Sequence, residues 1–318
     1  MKKIKKLPLI LTILSLVSFI TQVKADVKVV TSIKPLHSLA SYLMDGIGKP
    51  GLIVDGYASP HSFSMKPSHA KMLQNADIVF WVGEGMENFL KKPLSSIAKK
   101  AKKIELIEVK GLNILKFRER NIFEEHNHDD HDDHDHDDHT KKEDDHDDHA
   151  HGDYDSHIWL DPMNAKVILN EMAEHLIEND TENASKYKNN LKKALKEIDT
   201  LIIQVMTELN KSVSSIVFHD AYQYFEQRFN VNILGAFTVN PDVMPGAEQL
   251  AEIREIIEHD KVACVFSEPQ FNPNIINAVA KDMKIKTGVL DPLGATLDPG
   301  KNLYFDLIKN MSLSFKDC

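Results

Sequence analysis

The chain has 318 residues, 42% of them hydrophobic, with 38 Lys and Arg against 48 Asp and Glu and a net charge of −10. That length exceeds one small core and suits two moderate domains, and the acidic balance with no basic patch excludes a nucleic-acid partner. The first 25 residues read as a secretory signal peptide: basic "MKKIKK", then apolar Leu7 to Ile20, then Val23-Lys24-Ala25 as a small-x-small cleavage site. The apolar run is short for a membrane-spanning helix, and no cysteine near the cleavage site offers a lipid anchor. Periplasmic export is therefore expected.

After the leader, strand and helix signals alternate. "VKVVTSI" reads as a strand, residues 35–48 as a helix, "GLIVDG" as a strand and residues 68–76 as a helix. "DIVFWVG", a helix over residues 86–101 and the strand "KKIELIEV" follow. Such alternation predicts parallel βαβ units. A tract then interrupts the pattern. Residues 124–155 hold sixteen acids and two lysines, with nine histidines: His126, His128, His131, His134, His136, His139, His146, His149 and His151. It has no apolar period, so disorder without metal is expected, with weak, multiple metal binding. A solvated acidic linker is the plain alternative.

Asp161-Pro162 then opens a helix as N-cap and first helical residue. Residues 181–210 carry the longest helical signal: Tyr187, Leu191, Leu195, Ile198, Ile202, Val205 and Leu209 recur every three or four positions without Gly or Pro. Thirty residues would span roughly 45 Å, enough to bridge two domains. The alternation restarts with the strand "SSIVF" and ends with the helix "LYFDLIKNMSLSF". The predicted organisation is an α/β lobe over residues 26–180, a linking helix over 181–210 and a second α/β lobe over 211–318, with about four strands in each lobe.

Ligands of open parallel sheets bind beyond the carboxyl ends of the strands. The metal-capable residues there are His61, His219 directly after "SSIVF", and Asp291 directly after "KTGVL". His157 stands where the tract returns to ordinary sequence. Two of the four fall on each side of the long helix, which places a candidate site between the lobes. Three imidazoles and a carboxylate suit Zn²⁺; Mn²⁺ would favour more carboxylates. His37, His69, His175 and His259 read as surface or hydrogen-bonded residues. Cys264 and Cys318 in an exported chain suggest one disulfide; the alternative, a pair of metal ligands, lacks a flanking histidine.

The segments "TSIKPLHSLA", "PHSFSMKPSHAKMLQNADIVFWVGEGME", "HIWLDP", "FHDAYQYFEQRF", "FTVNPDVMPGAEQLAEIR", "CVFSEPQF" and "LDPLG", with the His/Asp-rich insert between them, resemble the ZnuA family of periplasmic zinc-uptake proteins. That family lies in the metal-receptor cluster of ABC-transporter solute-binding proteins. The resemblance covers essentially all of the chain after the leader. It implies two lobes, each a four-stranded parallel sheet flanked by helices, joined by one long rigid helix. It implies transported Zn²⁺ held by His61, His157 and His219, with Asp291 or water as the fourth ligand, because Pro60 stands where some members carry an acidic residue. It pairs Cys264 with Cys318. It further implies a monomeric, non-enzymatic receptor serving an inner-membrane permease and its ATPase. The rival readings are a secreted zinc hydrolase, with Glu268 as its general base, and a stand-alone metal buffer. The hydrolase lacks an HExxH-like motif. The buffer does not need two lobes.

Overall fold

The computed structural model describes residues 27–123, 154–209, 213–241 and 243–318. The expected signal peptide and all nine tract histidines lie outside the described residues. The first lobe runs β1 (Val29–Thr31), α1 (Lys34–Leu43), β2 (Gly51–Leu52), α2 (Pro67–Gln74), β3 (Ile78–Trp81), α3 (Lys91–Ser96) and β4 (Lys102–Glu105). Two helices follow, α4 (Pro162–Asn179) and α5 (Ala184–Glu208). The second lobe runs β5 (Ser214–His219), α6 (Gln223–Phe229), β6 (Asn232–Thr238), α7 (Ala247–His259), β7 (Cys264–Ser267), α8 (Asn274–Met283), β8 (Lys286–Val289) and α9 (Leu303–Lys316).

Each lobe is built on a four-stranded parallel sheet, and the two sheets repeat one topology: β2-β1-β3-β4 and β6-β5-β7-β8. The long helix is α5. Its first expected turn is a 3₁₀ turn over Thr181–Asn183, and the α-helix proper covers 25 residues, roughly 37 Å. It packs on α4, on α1 of the first lobe and on α9 of the second, so it ties both halves together. The helix expected over 86–101 is shorter, a 3₁₀ turn over Asn88–Leu90 and then α3. Pro93 within that segment removes a backbone donor that a longer helix would use.

In the second lobe the two-residue period of strands separates two cores. Ile216, Phe218, Leu234, Phe237 and Val265 face one way and pack with α7 and α8. Val217, Ile233, Ala236, Cys264 and Phe266 face the other way and join a core continuous with the first lobe. The Cys264–Cys318 disulfide fastens the C-terminus to β7. In the chain-entropy picture, closing this 54-residue separation stabilises the fold by about 4 kcal/mol.

Polar ties cross the boundary between the lobes. Buried Lys34 on α1 donates from Nζ to the carbonyls of Gly294, Ala295 and Leu297, at 3.1, 3.0 and 2.8 Å. Arg228 on α6 grips the N-cap Asp161 of α4 with two bonds of 2.6 and 2.7 Å. Trp159 donates to the Pro292 carbonyl at 2.8 Å, and the Tyr304 hydroxyl donates to the Trp159 carbonyl at 2.8 Å. Residues 121–123 lie antiparallel along β6: Ala236 N donates to Asn121 O at 2.8 Å and Phe123 N to Leu234 O at 2.9 Å. Gly235 permits this approach, since a Cβ there would come within 2.6 Å of the Asn121 carbonyl oxygen.

Candidate metal centre

The cleft between the lobes receives side chains from three separate stretches. His219 is the last residue of β5 and shares the face of Ser215 and Val217, the face turned to the common core. Its orientation follows from strand register. Ser215 pairs with Cys264 on β7, and continuing that register brings Glu268 opposite His219. The contact is present: His219 Nδ1 lies 2.6 Å from Glu268 Oε1. His157 precedes a 3₁₀ turn over Ile158–Leu160 whose three residues are all buried. Its Nδ1 lies 2.8 Å from Asp155 Oδ1, which also accepts from the His157 backbone N–H at 2.9 Å. His61 comes from the irregular segment between β2 and α2 and is less buried than the other two.

The three rings converge. His157 and His219 have centroids 5.3 Å apart, and His61 lies 5.8 and 5.9 Å from them. One nitrogen from each ring falls within 4.8 Å of the others. The Nε2 atoms of His157 and His219 are 3.4 Å apart. Two nitrogens on a tetrahedral zinc ion would be about 3.3 Å apart, so that edge of the triangle already has zinc dimensions. The cavity beside the rings, walled by Pro60, Trp159, Phe271 and Leu293, has a volume of about 10 Å³. That is room for a water or an ion.

Electrostatics differ around the two buried rings. Burial drives the His157 imidazolium well below the ordinary histidine range, and the neighbouring His219 pushes it further down. Burial acts the same way on His219, but the Glu268 carboxylate and its hydrogen bond outweigh it and raise the ring above the ordinary value. Burial also raises Asp155 to about 7, against the hydrogen bonds from His157 and Gln223 and the charges of His219 and Arg118.

Asp291 stands apart from this group. Its Oδ1 accepts from Ala295 N at 2.9 Å and from Gln270 Nε2 at 3.1 Å, and its Oδ2 accepts from Thr296 N and Oγ1, both at 3.0 Å. The expected fourth carboxylate therefore spends both oxygens closing the turn that follows β8. Asp155 is the reverse case. It falls inside the tract expected to lack order, yet it is buried, and Tyr224 Oη donates to its carbonyl at 2.7 Å. Tyr154, the first described residue after the tract histidines, bridges Lys116. A D-x-H spacing at the tract's end was the available signal, hidden among many similar spacings. The remaining expectations on histidines match the contacts found: His37 Nε2 bonds the Pro50 carbonyl and His175 Nε2 bonds Glu171.

Comparison with known proteins agrees with this architecture. The chain is 48% identical over 303 residues to the high-affinity zinc uptake system protein ZnuA of Brucella abortus (strain 2308), covering 91% of each chain. It is 38% identical over 303 residues to the protein of the same name from Yersinia pestis, covering 92% of each. In fold it is similar to the laminin-binding adhesin Lmb of Streptococcus agalactiae, with a TM-score of 0.72 at 23% identity over 91% of this chain and 98% of that one. It is equally similar, at 21% identity, to a zinc-bound ZnuA deletion mutant, over 92% and 97%. The family model described as "Zinc-uptake complex component A periplasmic" matches residues 29–318. By sequence over nearly its whole length, and by a fold made of two like lobes around one long helix, this chain belongs to the ZnuA family.

Proposed function

We propose that the protein captures a zinc ion between its lobes through His61, His157 and His219 and delivers it to an ATP-driven membrane importer. The observation that carries this reading is the convergence of three imidazoles from distant stretches on an ion-sized cavity. The names of its relatives, zinc uptake proteins, point the same way. Water fills the fourth position, because Asp291 is held by its own turn. The protein works as a periplasmic monomer and transforms nothing. The described residues contain no helix long and apolar enough to cross a membrane. A hydrolase would need a free base beside the metal, and Glu268 is committed to His219.

The tract histidines gather further zinc weakly. Calorimetry tests both parts. His61→Asn weakens the tight site, and unchanged affinity there would refute the ligand set. Deleting residues 124–153 removes weak sites and leaves one tight site; loss of the tight site would refute the division of labour. The cut must spare Asp155, which holds His157.

A further inference from the structure

Two buried carboxylates touch the cluster from outside, and neither supplies an atom to the triangle of nitrogens. We propose that Asp155 and Glu268 are positioning residues of the capture site: each holds the Nδ1–H form of one imidazole, so that Nε2 of His157 and of His219 faces the ion. This rests on the ligand set proposed above and adds to it how those ligands are aimed.

The geometry supplies the reason. A neutral imidazole carries one N–H and one lone pair, and the partner of one nitrogen decides which face can bind a metal. Asp155 Oδ1 already accepts from the His157 backbone N–H at 2.9 Å, so the same oxygen acts as an acceptor toward Nδ1 at 2.8 Å. Its partner oxygen is approached by Gln223 Nε2 at 3.4 Å, and Leu115 O accepts from the Asp155 backbone N–H at 2.9 Å. The carboxylate is therefore fixed independently of the ring. Glu268 reaches His219 from the neighbouring strand at 2.6 Å. With both Nδ1 positions engaged outward, both Nε2 atoms turn inward, 3.4 Å apart. Aromatic rings pack beside both: Trp159 lies 5.4 Å from the His157 ring and Phe271 5.7 Å from the His219 ring, edge-on to the latter. The arrangement also keeps these carboxylate oxygens out of the donor set, which leaves a nitrogen-rich site suited to zinc over harder ions.

The test combines zinc calorimetry with NMR of the histidine ring nitrogens on the intact protein, with His219→Ala as a reference. Asp155→Ala and Glu268→Ala should each weaken zinc binding 10- to 100-fold, a usual cost of removing such a partner. The ring that lost its carboxylate should change from one tautomer to a mixture. Glu268→Gln, which keeps an acceptor oxygen, should recover most of the affinity and the single tautomer. Unchanged tautomers in both alanine variants, or affinity within twofold of the parent, would overturn the proposal, provided that His219→Ala still abolishes tight binding. If His219→Ala also binds normally, the ligand set itself falls. Should the alanine variants fail to fold, Glu268→Gln and Asp155→Asn decide the matter. Retained tautomers with less than a tenfold loss support positioning; a hundredfold loss with retained tautomers overturns it in favour of charge alone.

Discussion

The two lobes share a topology but hold their share of the site in different ways. His219 stands at the end of a central strand, backed by a neighbouring strand's Glu268, in a lobe whose C-terminus is fastened by a disulfide. His61 stands in irregular chain after a strand of two residues and is partly open to solvent. His157, between them in sequence, is locked by Asp155 and a buried turn. Two nitrogens are thus 3.4 Å apart, at zinc spacing, and one from the more open His61 lies within 4.8 Å of both. The comparison teaches that any adjustment on binding is expected in the loop carrying His61, the least buried of the three. The lobes themselves share a core and several buried ties, and a wide clamp motion would break them.

The sharpest way to break that contrast is to remove one ligand at a time. A ligand of a zinc site accounts for about a quarter of 10–16 kcal/mol, so His219→Ala should lower affinity by roughly a hundredfold to several hundredfold. His61→Ala should cost less, roughly ten- to a hundredfold, because closing its loop offsets part of what its bond contributes. Equal losses by calorimetry would erase the distinction between preset and adjustable halves. Next in size is the disulfide. Cys264→Ser with Cys318→Ser should destabilise the protein to denaturant by about 4 kcal/mol and leave zinc affinity within about twofold. A large affinity loss would show that the preset half depends on the bridge. Lys34→Ala leaves three carbonyls without their buried donor and should cost about 3 kcal/mol. Zinc should then bind at an altered rate with the equilibrium little changed, as stopped-flow would show.

Acid sharpens the comparison further. Zinc needs neutral rings, and His219 is held above the ordinary histidine value. It is protonated first as pH falls, so affinity should hold at alkaline pH and drop by up to about tenfold per pH unit below the His219 titration. His157, driven well below its ordinary value, stays neutral through that window. A profile that stays flat from alkaline pH down into the ordinary histidine range would mean that the Glu268 contact does not tune the site. The smallest effect is reserved for Asp291→Asn. It should cost about 1 kcal/mol of stability through the turn after β8 and change zinc affinity by less than about threefold. A hundredfold loss would return Asp291 to the ligand set.

Periodicity made the architecture legible, because alternating strand and helix signals of the right length leave few alternatives to parallel βαβ lobes. The long helix was equally plain from Tyr187 to Leu209. His219 stood out as a candidate because it ends a strand, where ligands of parallel sheets sit, and His157 because it stands where the tract returns to ordinary sequence. Asp155 and Glu268 were not legible as partners of particular rings. One was masked by a tract of its own composition, and the other depends on the register between β5 and β7, which no local pattern encodes. Asp291 was ambiguous for a related reason: a carboxylate after a strand can bind an ion or its own turn, and its contacts with Ala295 and Thr296 depend on tertiary positions.

The strip of chain at 121–123 along β6 has a bearing on how this protein behaves in company. Without it, the outermost strand of the second sheet would present bare amides and carbonyls to any extended peptide that drifted past. Gly235, by having no side chain, lets the shield lie flush. An engineer trimming the acidic insert from the N-terminal side would therefore meet clumping before any loss of zinc. The safe boundary lies after Phe123.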